Sequence, residues 1–151
     1  MYINLLTKYF KIMSNSTSNK PPIWFWIVSI IALIWNGMGV KAYLEQAYNT
    51  ESYRAMYTPE QLEIDANMPA WVTAAFAIAV FAGALAAIGL LLRKSWSVKL
   101  WYLSLLAVLV QMGYALINGY ASSIVMTIMI IVFAFIFTWF ARKSEANGWL
   151  S

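Results

Sequence analysis

The stretch "AWVTAAFAIAVFAGALAAIGLLL", residues 70–92, decides the fold. It runs without a single charged side chain and is longer than the ~20 helical residues that cross ~30 Å of hydrocarbon. It lacks the polar–apolar alternation in ~10-residue segments that marks a barrel strand. Three more apolar stretches of similar length stand at about 23–44, 98–117 and 121–141. The expected fold is therefore all-α: a polytopic membrane protein with four transmembrane helices in an antiparallel bundle. Residues 1–22 form an N-terminal segment and 23–151 the membrane domain. The composition agrees, with 62% hydrophobic and 11% charged residues and a mean hydropathy of +0.67. A soluble domain carries about 25% charged residues.

The chain contains neither Cys nor His. Disulfides, thiol chemistry and the usual zinc ligands are excluded, and so is the commonest proton shuttle. No metal or cofactor is expected. The net charge of +4 reads as a membrane pattern, and no nucleic-acid partner is expected. Lys8, Lys11 and Lys20 precede the first span, Arg93, Lys94 and Lys99 lie between the second and third, and Arg142 and Lys143 follow the fourth. The loop of about residues 46–69 holds Glu51, Glu60, Glu63 and Asp65 against Arg54 alone. Basic loops stay in the cytoplasm, so both termini are expected inside and 46–69 outside. Trp24, Trp26, Tyr43, Trp71, Trp96, Trp101, Tyr120 and Trp139 fall near span ends as interface anchors.

Two local signals stand outside the spans. "TPEQ" (58–61) is a capping box, with Pro59 at the first helical position, and predicts a short external helix over about 59–67. The first twelve residues read in two ways. "YINLLTKYFKIM" (2–13) suits a helix lying on the membrane surface. Equally, Met13 followed by the polar linker "SNSTSNKPP" (14–22) has the look of an N-terminus with an extension upstream.

Polar residues inside the spans carry the candidate site. Asn36 lies twelve residues beyond Trp24, and Gln111 twelve beyond Lys99. Both amides should stand roughly 18 Å from the inner ends of parallel-running helices, at matching depth. Positions seven apart stay nearly on one face. The stripes are Ser29–Asn36–Tyr43 in the first span and Ser104–Gln111–Asn118, with Tyr114 beside it, in the third; the fourth has Ser123, Thr127 and Thr138. An amide facing lipid is costly, so these seams should turn inward and meet. Asn36, Tyr43, Gln111, Tyr114, Asn118 and Thr127 are the candidate ligand-binding residues. Lys41 and Glu45, an i,i+4 pair, are either a snorkelling ion pair or charges at a pocket mouth. In the second span Ala75, Ala79, Gly83 and Ala87 recur every four residues, a face that admits another helix closely. Gly37 and Gly39 of the first span make that span a candidate partner.

"WNxxGxxxY", met by Trp35, Asn36, Gly39 and Tyr43, occurs with "PAWVTAAFAIAVFAGALA" (69–86), "LLLRK" (90–94), "VLVQMGY" (108–114) and a tail ending "NGWLS". Over about residues 23–151 the chain resembles small four-helix bacterial inner-membrane proteins that carry the general label "sugar transporter". More loosely it is similar to DoxX-like membrane proteins. The resemblance implies movement of a small uncharged solute such as a sugar. No Asp or Glu lies deep in a span, so proton coupling is disfavoured. Transport by so few helices would call for a homo-oligomer in the bilayer. The alternative is an accessory or scaffold protein whose polar seams only hold helices together. No paired carboxylates, nucleophile–base set or metal cluster is legible, and the chain reads as a non-enzyme.

The topology is open to direct test, because any introduced cysteine is unique. In sealed, correctly oriented cells an impermeant thiol reagent should label Glu63→Cys and spare Asn19→Cys and Asn147→Cys. Labelling of either of the latter would reverse the assignment.

Overall fold

The computed structural model describes residues 2–14 and 19–151. Residues 15–18 of the polar linker lie outside the described residues. Among the described residues, seven helices follow in order: α1 (Tyr2–Ser14), α2 (Ile23–Ala47), α3 (Glu51–Met56), α4 (Pro59–Ala66), α5 (Ala70–Leu91), α6 (Trp96–Ile117) and α7 (Ile124–Ala146). Among the described residues, α2, α5, α6 and α7 are long and apolar enough to cross a membrane. Short connections make α5, α6 and α7 successively antiparallel. Large apolar side chains such as Ile31, Ile78, Leu106 and Phe135 are exposed on the bundle's outer surface, where lipid covers them. The chain is an integral membrane protein with an all-α four-helix bundle.

The ends of the spans differ from expectation for local reasons. α2 continues to Ala47 rather than about 44. α7 begins at Ile124 instead of 121, because the Ser123 side chain accepts the Met126 N–H as N-cap. It runs on to Ala146 through the polar "RKSEA". The capping box at Thr58 and Gln61 forms as read and opens α4. A second loop helix, α3, was not expected; Thr50 caps it by accepting from Tyr53 N–H. All four long helices end in the same way. The residue after each C-cap (Asn49, Arg93, Gly119, Gly148) has φ between 48° and 73°. In α7, Gly148 N–H donates to Glu145 O and Trp149 N–H to Ser144 O. These pairs satisfy carbonyls that a membrane would otherwise leave orphaned.

α5 is the central element, packed between α2 and α6. Ala75, Ala79, Gly83 and Ala87 are all buried, with Ala82 and Ala86 beside them. This strip is used inside the bundle. Gly39 of α2 contributes to the fit, since a side chain there would meet Val80 Cγ1 at 2.9 Å, whereas Gly37 has no neighbour within 4 Å. α7 packs on α6 and reaches α2 through rings: Trp24–Phe140 (5.7 Å between centroids), Phe25–Phe140 (5.7 Å) and Trp35–Phe133 (4.6 Å). Trp101, expected as an interface anchor, is 2% exposed and packs against Phe137. With Phe25, Leu90 and Phe140 it belongs to a solid core in the half of the bundle nearest residues 19–22 and 148–151, the tail end.

That end is clasped by residues 148–151. Ser151 N–H donates to Arg93 O (2.8 Å), and Ser95 N–H to Ser151 O (3.0 Å). The Arg93 guanidinium donates to Trp149 O (2.8 Å) and Asn19 O (3.1 Å). Trp149 sits over Trp24 and Phe25. These bonds explain why an arginine holds a left-handed φ of 56°, a conformation that costs a non-glycine residue about 1–2 kcal/mol.

Arg93→Ala removes both guanidinium bonds and keeps the strain, and should lower stability by about 1.5–3 kcal/mol. Arg93→Gly should lose less, because it relieves the backbone. Thermal unfolding of the two purified variants checks the order.

Candidate functional site

The other half of the bundle is hollow. A cavity of about 460 Å³ lies between α2, α5, α6 and α7 and opens among α3–α4 and the α6–α7 turn, the loop end. Its floor is Trp101, Ala134 and Phe137; its mouth includes Tyr57, Gln61, Tyr120 and Ser123. From Ser123 to Phe137 along α7 the lining runs ~21 Å.

Four of the expected residues come together on its wall: Asn36, Gln111, Tyr114 and Thr127. Asn36 is 9% exposed. Its Nδ2–H donates back to Ala32 O at 2.8 Å rather than across to Gln111. Its Oδ1 rests over Gly83, where an added Cβ would come within 2.0 Å of it and 3.1 Å of Ser104 Oγ. The amide thus occupies room that the absence of a side chain on α5 creates. Ser104 donates to Ala79 O (2.6 Å), tying α6 to α5. Thr127 donates to Ser123 O within its own chain turn (2.9 Å). Tyr114 packs edge-on to Trp71 at 5.1 Å.

The remaining candidates stand elsewhere. Tyr43 is turned toward α5, its ring against Phe76 (5.4 Å) and Phe81 (5.8 Å), and is not on the cavity wall. Asn118 is the C-cap of α6 and exposed; its Nδ2–H donates to Tyr114 O. Lys41 and Glu45 form a 2.9 Å ion pair, with the lysine 73% exposed. Glu45 also accepts from Ser52 Oγ (3.0 Å). The pair fastens α3 to α2 and does not line the cavity.

Several wall residues were not anticipated. Gln46, Tyr57, Gln61 and Asp65 reach the mouth from the α2 end and the loop helices. Asp65 is the only charged residue lining the cavity among the described residues, and Tyr53 Oη donates to its carboxylate. Burial, and then this carboxylate, push the Tyr53 phenol up. Trp101 on the floor has a buried indole N–H with no protein partner. Among the described residues no three His, Cys, Asp or Glu side chains gather as a metal site. The wall therefore offers apolar and aromatic surface with uncharged hydrogen-bonding groups, and the Asp65 carboxylate at its mouth.

Compared with known protein families, curated proteins and solved structures, the chain matches none.

Gly83→Leu should abolish folded protein, since the side chain must enter the space of Asn36 and Ser104. Leu85→Ala, at a position 52% exposed to lipid, should be nearly neutral. Yields of monodisperse protein measure the difference, and equal yields would show that the α5 strip is not close-packed.

Proposed function

We propose that this membrane protein binds a small uncharged solute in the cavity and admits it from the loop end. The supporting observation is the placement of Asn36, Gln111, Tyr114 and Thr127 on one wall of a 460 Å³ hollow. Amides that merely hold helices together bond across the interface. Asn36 instead bonds to its own helix, and its carbonyl oxygen keeps acceptor capacity for something else. The aromatic and apolar remainder of the wall suits stacking on the faces of a ring or chain. A charged solute would find Asp65 alone as a charged group on the wall. A sugar or related polyol is the class that the family resemblance implies, and binding without chemical conversion is the accompanying role. With both termini in the cytoplasm of a bacterial cell, the mouth faces outward and the protein receives its solute from outside.

A thermal-unfolding screen of the purified protein over sugars, polyols and lipids tests this. At least one uncharged compound should raise the unfolding temperature. Asn36→Leu should keep the fold, at a cost of ~1–2 kcal/mol if the amide contributes a membrane hydrogen bond, and lose the response. A response that survives both Asn36→Leu and Gln111→Leu would remove the cavity from the account.

A further inference from the structure

The cavity has a side as well as a mouth. α2 and α7 are antiparallel and touch through Trp35 and Phe133. At ~1.5 Å per residue, each step from that contact toward the loop end matches α2 and α7 positions pairwise. Met38 then stands level with Ile130, and Ala42 level with Met126. All four line the cavity. Met38 and Met126 are also 54% and 50% exposed on the bundle surface, and Ala42 is exposed. Side chains that border an interior hollow and the lipid-facing surface at once are the lips of an opening. Beyond Trp35–Phe133, among the described residues, no ring pair or side-chain hydrogen bond draws α2 and α7 together across it.

We infer that the ligand is a single-chain amphiphile with an uncharged hydroxyl-bearing head, held at Asn36 and Gln111 while its chain passes between α2 and α7 into the bilayer. This rests on the solute-binding reading above and narrows it from a free solute to a lipid head. The lips are wholly apolar, so they suit a hydrocarbon chain and would strip water from a polar one. The wall at the level of Asn36 and Gln111 holds hydrogen-bonding groups without charge, so an anionic head would lose its hydration without compensation. The slot runs ~21 Å along the bundle, of which a glycerol or hexose unit fills only a part. Two of the four lip residues are methionines, whose unbranched thioethers adapt to a chain of variable path.

The test uses protein in phosphatidylcholine nanodiscs and four probes: monolauroylglycerol, lauroyl lysophosphatidylglycerol, glycerol and glucose. Monolauroylglycerol should raise the unfolding temperature in a concentration-dependent way. The anionic compound of equal chain length and the two chainless compounds should not. Ala42→Trp, which fills the slit at a distance from Asn36, should keep the unliganded unfolding temperature and abolish the rise. Met126→Trp closes the same slit from α7 and decides the matter if Ala42→Trp does not fold. A rise with glucose or glycerol that Ala42→Trp leaves intact overturns the lateral route while the cavity reading stands. Equal responses to monolauroylglycerol in the wild type and both lip variants also overturn it, as does the absence of any response to monolauroylglycerol.

Discussion

Everything in this bundle depends on how closely α2 and α6 approach α5. The strip Ala75–Ala79–Gly83–Ala87 presents almost no side chain, so dispersion contacts reach the helix backbone, and van der Waals packing is what holds helices together in lipid. Three helices drawn into one row leave the fourth without a small-residue face to join. α7 is rich in Phe and Ile, and it meets α2 by rings, with centroids 4.6 to 5.7 Å apart. Rings occur in this role from Trp24 to Trp35. Above Trp35, α2 offers Met38 and Ala42 to the same side, and no ring there reaches α7. The solid half and the hollow half follow from one change in side-chain volume along one face of α2.

Polar groups inside the bundle obey a consistent economy. Ser29, Thr127, Thr138 and Ser144 each donate to the carbonyl four residues earlier, the usual recourse of a hydroxyl in a membrane helix. They need no neighbour and so place no demand on the packing. Ser104 donates across to Ala79 O, and Thr138 adds a longer contact to Trp101 O; these do join helices. Asn36 fits neither pattern fully. Half of its amide is satisfied locally, and the other half is lodged over Gly83 beside the hollow. A side chain so held is already oriented, which under the proposed binding role would lower the ordering cost of binding.

The spans, the capped loop helix and the buried α5 strip were legible because each is set by the chain's own local chemistry: hydrocarbon thickness, a four-residue cap, a four-residue repeat. The inward turn of Asn36, Gln111 and Thr127 was legible from the penalty on polar groups in lipid. Tyr43 shows where that logic stops. It shares a stripe with Asn36, yet a tyrosine near a span end pays no comparable penalty, and Phe76 and Phe81 offered edge-to-face contacts on α5. Asn118 lay one residue past its helix, where capping the last carbonyls outweighs any inward seam. A Trp near an interface usually anchors there, whereas Trp101 shares a buried cluster with the small residues Ala86 and Ala87 of α5. The clasp of Arg93 on Trp149 and Asn19 spans separations of 56 and 74 residues, and no local pattern announces such a contact.

A hollow of this size has an energetic consequence of its own. It is open at the loop end, so water can enter it. At its mouth Gln61, Tyr120 and Ser123 can hydrogen-bond to water, and water there is cheap. Deeper, between Trp101, Ile130, Ala134 and Phe137, a water molecule finds few of the two to four polar partners it needs. Water in that lower part is poorly held, and hydrocarbon that replaces it recovers dispersion contacts with the aromatic floor. Polar groups at mid-depth add direction to this driving force: they favour an occupant that places hydrogen-bonding atoms at Asn36 and Gln111 and apolar atoms elsewhere. Under the proposed binding role, an occupant with one polar part and one apolar part fits this wall best.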